Sequence, residues 1–91
     1  MPYIDKKRRK QLEDIAVALL ADEVTEGDLN YLITRLVDAF LHRGGRTARY
    51  GDYNTAIGVL ECAKLELYRR LVAPYEDGKI STNGDVYEAP A

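Results

Sequence analysis

Cationic and aromatic side chains gather in a glycine-bearing stretch near the middle of the chain, between His42 and Tyr53. The four side chains best suited to bind a ligand are Arg46, Arg49, Tyr50 and Tyr53. Arginine forks pair with phosphate or carboxylate groups, and a tyrosine ring offers a face on which a base can stack. The stretch therefore predicts a site for a small anionic, nucleotide-like ligand. The alternative is a flexible, solvated loop, and the lysine, serine and spacing of a P-loop are absent.

Groups suited to catalysis or metal binding are sparse. His42 is the only histidine and Cys62 the only cysteine, and no nucleophile turn surrounds that cysteine. One thiol and one imidazole do not make a zinc-ligand pattern, and no acid–base pair of carboxylates is recognisable. Cys62 fits a small apolar position in the core or in a helix seam. We therefore expect no enzyme, no catalytic residue, no metal and no cofactor.

The chain begins with a basic run, Lys6–Lys10, which could contact phosphates or could be a solvated helix end. The whole chain carries 13 basic and 15 acidic residues, for a net charge of −2. Duplex-binding domains are usually strongly basic, so nucleic acid is a less favoured partner than a small ligand. Weak nucleic-acid binding through this run stays open as an alternative.

Apolar spacing of three and four residues predicts two helices in the first half of the chain. The first spans Lys6–Ala21, with Asp5 as its cap. Thr25 and Asp28 have the form of a capping box, which predicts the start of a second helix there. That helix is expected to stop at Gly44-Gly45, where glycine accepts the left-handed conformation.

A third helix is expected from a cap at Asp52 through Val72, with Pro74 ending or kinking it. A further helical turn is expected over Tyr75–Lys79, broken at Asn83-Gly84. A bend at the proline would send Tyr75 and Ile80 back across the helices, and the tail from residue 81 would be mostly irregular. The sequence thus predicts an all-α domain over residues 1–80. It would have three helices, with the second and third forming a long antiparallel hairpin kinked at Pro74.

The third helix is apolar on more than one side, since Ala56, Val59, Leu65 and Tyr68 lie away from its main stripe. One short helix cannot cover two long ones, so we expect a homo-oligomer. Coverage by the first helix and the tail is the alternative. Seven tyrosines with one Phe and no Trp also suit half-wet surfaces such as interfaces, or the edges of a core.

The chain has 91 residues, enough for one domain that would expose about 5,300 Å² when folded. A lone cysteine cannot close an internal disulfide, which favours a reducing compartment. The longest apolar run is Ile15–Ala21, far below the roughly 20 residues of a membrane span. We expect a soluble, cytoplasmic protein without a membrane partner.

Four stretches of the sequence form a recognisable set: MPYID at residues 1–5, GDLNYLITRL at 27–36, GVLECAKLELYRRLVAPYED at 58–77 and NGDVY at 83–87. Together they resemble a family of short proteins of tailed phages and prophages. The resemblance covers most of the chain and implies a phage origin, hence the cytoplasm of an infected bacterium, without implying an activity. A shorter stretch, RLVAPYE at 70–76, is similar to the hairpin end of phage sponge proteins for cyclic nucleotides. It lacks their tryptophan, so no binding residue follows from it.

These observations favour a non-catalytic binding protein that captures its anionic ligand at an oligomer seam. The first alternative is a structural or host-protein interaction module that works through helix faces. The second is the weak nucleic-acid binder described above.

Overall fold

The fold, in a computed structural model, is described for residues 2–19 and 23–88. Its α-helices are α1 (Lys6–Leu19), α2 (Glu26–Leu41), α3 (Tyr50–Leu67) and α4 (Ala73–Asn83). A 3-10 turn occupies Arg43–Gly45, and a π-helical segment, Tyr68–Val72, joins α3 to α4 without a break. The described residues contain no strand and form three helical rods, which confirms the predicted all-α class.

Local side-chain caps begin the first two helices, as predicted. The Arg8 backbone N–H donates to the Asp5 carboxylate over 3.0 Å at the start of α1. At α2, the Asp28 N–H donates to Thr25 Oγ1 and the Thr25 N–H donates to the Asp28 carboxylate, each over 3.1 Å. Both caps satisfy backbone donors that a helix leaves unpaired at its start. The last two residues predicted for the first helix, 20 and 21, lie outside the described residues.

The connection between α2 and α3 depends on two glycines in the left-handed region. Gly44 has φ 68° and Gly45 has φ 74°, which confirms the predicted conformation at this turn. The prediction that Asp52 precedes the third helix is wrong, because α3 begins two residues earlier at Tyr50. Asp52 lies inside the first turn and accepts a hydrogen bond from the backbone N–H of Arg49 over 2.9 Å. It therefore caps the helix from within.

Pro74 does not end the helix. In the π-helical segment, the Ala73 N–H donates to the Tyr68 carbonyl five residues back, so the hydrogen-bond ladder is already shifted where the proline lacks a donor. α4 then continues to Asn83, past the domain boundary predicted at residue 80, and Gly84 follows with φ 88°. Tyr75 and Ile80 lie on α4 with exposed side chains, so the expectation that they cover the other helices is wrong. A bend of the helix axis at Pro74 stays a prediction.

The described part of the chain has an open shape with almost no core. Of the described side chains, only Ala56 is buried, at 7% exposure. The radius of gyration is 17.8 Å, where a compact domain of this length has about 12 Å. The accessible surface is 8363 Å², about 3,000 Å² more than expected for a compact monomer of this mass. None of the described helices is long and apolar enough to cross a bilayer.

Helices α2 and α3 contact each other, and Ala56 lies between them. Beside it, α2 and α3 form an apolar groove of about 200 Å³, lined by Leu36, Val37, Phe40, Ala56 and Val59. On α1, Ile15 and Val17 are exposed. Antiparallel pairing of α2 and α3 along their whole length stays a prediction.

The turn glycines provide a test of this connection. We expect Gly44→Ala to lower the free energy of unfolding by about 1 kcal/mol, because alanine is strained at positive φ. Gly58→Ala is the matched control, since both sites have open space for a Cβ but Gly58 lies within α3. It should raise stability by roughly 0.5–1 kcal/mol. Chemical denaturation at one protein concentration measures both, and equal effects of the same sign would contradict this role of Gly44.

Candidate functional site

The predicted ligand residues lie around the first turn of α3. Tyr50 and Tyr53 are three residues apart on this helix, which places them on neighbouring positions of its surface. Both rings are open to solvent, and Tyr50 is 77% exposed. Arg49 directly precedes the helix and Arg46 lies in the connection before it. The structure thus brings the four residues to one end of α3.

Arg46 already has a partner within the chain. One nitrogen of its guanidinium donates to Asp52 Oδ1 over 2.8 Å, in an ion pair whose carboxylate side chain is only 13% exposed. Asp52 in turn holds the Arg49 backbone N–H. This chain of contacts ties the connection to the start of α3, so Arg46 has a structural role in addition to any role in ligand binding.

Electrostatics at this turn favour the ionised form of Asp52. The hydrogen bond from the Arg49 N–H holds the pKa of Asp52 below its usual range, and the charges of Arg46 and Arg43 act in the same direction. Partial burial of the carboxylate opposes them. Because the net shift is downward, the charged carboxylate stabilises the folded state above its ordinary pKa, and this contribution is lost in acid.

The other basic residues of the loop also have neighbours in the chain. The guanidinium of Arg43 lies 3.9 Å from the centre of the Phe40 ring and donates to the Phe40 carbonyl over 2.7 Å. His42 Nδ1 lies 3.0 Å from the Asp38 carbonyl oxygen. In contrast, the described residues provide no side-chain hydrogen bond to the Arg49 guanidinium. Of the predicted ligand residues, Arg49, Tyr50 and Tyr53 therefore keep their side chains available.

A second polar cluster, which the sequence did not predict, joins the start of the chain to α3. The hydroxyl of Tyr3 donates to Glu66 Oε1, and Arg69 donates to the same oxygen over 3.2 Å. The Tyr3 hydrogen bond, followed by Arg69, lowers the pKa of Glu66 against the opposing effect of burial. A groove beside it is lined by Pro2, Tyr3, Ala63, Glu66, Leu67, Arg70 and Leu71. No sequence signal connects residues so far apart in the chain.

Candidate metal ligands do not converge in the described part of the chain, which holds no group of three or more His, Cys, Asp or Glu suited to bind an ion. Cys62 is exposed on α3. A core position for this cysteine is therefore wrong for a single copy of the chain, and a position in a seam between helices stays a prediction.

The pairing of Asp52 can be tested by its pH dependence. We expect Asp52→Asn to lower the melting temperature at neutral pH, because the variant loses an ion pair with Arg46 and weakens the contact with the Arg49 N–H. The higher melting temperature of the wild type should disappear as the pH falls below 3.8, the ordinary pKa of the Asp52 carboxyl. Thermal melts at neutral pH and at about pH 3 compare the two proteins.

The control is Asp77→Asn, which removes an exposed carboxylate on α4. It should leave the difference in melting temperature between neutral and acidic pH the same as in the wild type. If Asp52→Asn also leaves that difference unchanged, the ion pair does not stabilise the folded chain.

Of the comparisons with known proteins, only the one with protein families gives a match. No curated protein and no solved structure matches the chain. A family model, described as the domain of unknown function DUF6899, matches residues 1–86 and so includes all four helices and the candidate site. The chain therefore belongs to the DUF6899 family.

Proposed function

We propose that this protein is a non-catalytic binding module that works as a homo-oligomer of helices. The observation that carries the proposal is the burial of Ala56 alone among the described side chains, beside about 3,000 Å² of surface in excess of a compact monomer. Large apolar side chains on every helix are exposed, among them Ile15, Ile33, Leu36 and Leu71. Further copies of the chain would remove this surface from water, which is the main favourable term in association.

The ligand of this module is, in our proposal, a small anionic, nucleotide-like molecule. Arg49, Tyr50 and Tyr53 would bind it directly, the arginine by its planar fork and the tyrosines by stacking. Arg46 would contribute positive charge while it holds Asp52. The support is the arrangement at the start of α3, where two exposed rings accompany a guanidinium without a side-chain partner among the described residues.

Two other functions compete with ligand capture. A structural or host-protein interaction module would use the same exposed helix faces without a ligand at the loop. Weak nucleic-acid binding would use the basic residues of α1, whose charges are exposed.

The resemblance to short phage proteins supports a phage origin, with the cytoplasm of an infected bacterium as the setting.

Self-association is the first expectation to measure. We expect light scattering coupled to size exclusion to give a mass that is a multiple of 10.3 kDa at micromolar concentrations. Dilution should lower both the mass and the helical content, because the helices depend on contacts between copies. A fully helical monomer at tens of micromolar would contradict the proposal.

Ligand capture can be measured by thermal shift against a panel of cyclic and linear nucleotides. A ligand at 100-fold over its dissociation constant should stabilise the protein by about 2.7 kcal/mol. Arg49→Gln should abolish the shift, whereas Arg35→Gln, an exposed arginine on α2, should preserve it. No shift for any nucleotide would favour the interaction module, and binding of an oligonucleotide that weakens steeply with salt would favour the nucleic-acid alternative.

A further inference from the structure

An exposed apolar stripe follows the continuous helix formed by α3, the π-helical segment and α4. Its positions recur at intervals of three and four residues, and one of them is occupied by the polar residue Lys64. The apolar members are Tyr53, Ile57, Leu60, Leu67, Leu71 and Tyr75. All six side chains are exposed. From first to last the stripe is about 33 Å long at 1.5 Å per residue. Apolar spacing of three and four is the pattern by which two helices pack along a common seam.

The π-helical segment keeps the stripe on one face. Leu67, Leu71 and Tyr75 follow one another at intervals of four residues. In a regular α-helix of 3.6 residues per turn, side chains at this spacing move gradually around the helix axis. A π-helical turn contains more residues than an α-helical turn, because its hydrogen bonds span five residues instead of four. Since the segment Tyr68–Val72 lies within this interval, the wider turn offsets the drift.

Intrachain cover of this long helix is unequal. α2 packs against the first part of α3, where Ala56 and Val59 border the apolar groove. In the second part, from Lys64 to Asn83, no described helix packs as α2 does on the first part; the contact with Tyr3 at Glu66 comes from the segment before α1. A parallel pair of chains would place the two uncovered parts together. An antiparallel pair places the uncovered part of each chain beside the α2-covered part of the other.

We propose that a second copy of this chain binds the stripe with its own stripe, antiparallel, about a two-fold axis near Lys64. This inference rests on the self-association proposed above and names the surface that carries it. The chain as a whole exposes about 3,000 Å² more than a compact monomer, and the stripe is part of that exposed surface; a stable interface buries about 800 Å² per partner. A two-fold axis uses the same patch on both copies and closes the assembly.

This pairing also changes the candidate ligand site. With the axis near Lys64, the start of α3 in one copy lies level with α4 of the other. Tyr75 and Lys79 are on α4, with the Lys79 ammonium 5.5 Å from the centre of the Tyr75 ring. The second copy thus adds an aromatic ring and a cation to Arg49, Tyr50 and Tyr53. A single chain carries only part of the site.

The native Cys62 gives a direct test of orientation. A spin label at Cys62 lies near the proposed axis in both copies, whereas a label in Ser81→Cys/Cys62→Ser lies near the far end of the helix. The antiparallel pair places the two Ser81→Cys labels about 50 Å apart along the axis, at least 30 Å further than the Cys62 labels. Pulsed electron–electron resonance measures both distances in the full chain. Equal short distances at the two positions mean a parallel pair and overturn the proposal.

A second measurement tests the surface itself. Leu71→Asp places a charge in the stripe, and Val17→Asp places one on α1 at a residue of matched exposure, 65% against 63%. Light scattering should give a smaller assembly for Leu71→Asp and the wild-type mass for Val17→Asp. The reverse result overturns the stripe as the interface while leaving self-association intact. A wild-type chain that is monomeric overturns the proposed function itself, so the two failures are distinguishable.

Discussion

Burial of apolar surface is the constraint on which the rest of this structure depends. Fixing the backbone costs about 1–2 kcal/mol per residue, and the described part of a single chain offers only Ala56 as a buried side chain against this cost. Helices of 14 and 16 residues are marginal in water without a packed face. α1 also carries basic residues at its start, where the helix dipole disfavours them. If copies of the chain associate as proposed, folding and association form one equilibrium.

Features determined within a few residues could be predicted from the sequence. The caps at Asp5 and Thr25 and the left-handed turn at Gly44 involve groups no more than three residues apart, so spacing alone indicates them. The helical turn after Pro74 and its end at Asn83-Gly84 could also be predicted. The π-helical turn that leads into it could not, because proline usually interrupts an α-helical ladder and nothing in the residue types announces such a turn. The contact between Tyr3 and Glu66 depends on where the chain goes after α1.

The candidate site was predictable as a group of residues but not as a division of roles. Its members are neighbours in the sequence, so their proximity follows from connectivity. Whether an arginine is available or already paired depends on side-chain geometry. Arg46 turns to Asp52, Arg43 covers the Phe40 ring, and the guanidinium of Arg49 has no side-chain partner among the described residues. A count of arginines in the loop treats the three as equivalent, and the fold does not.

Tyr53 connects the two proposals, because it belongs both to the ligand group at the start of α3 and to the apolar stripe. If one side chain serves both contacts, ligand binding and self-association cannot be independent. A ligand that orders Tyr50, Tyr53 and the Arg49 side chain lowers their conformational entropy before the second copy binds. Less conformational entropy is then lost when the two copies associate at that end of the seam. Thermodynamic linkage then requires the reverse effect of equal size, with association raising ligand affinity by the factor by which ligand strengthens association. An assembly of this kind would bind its ligand more tightly as the protein concentration rises.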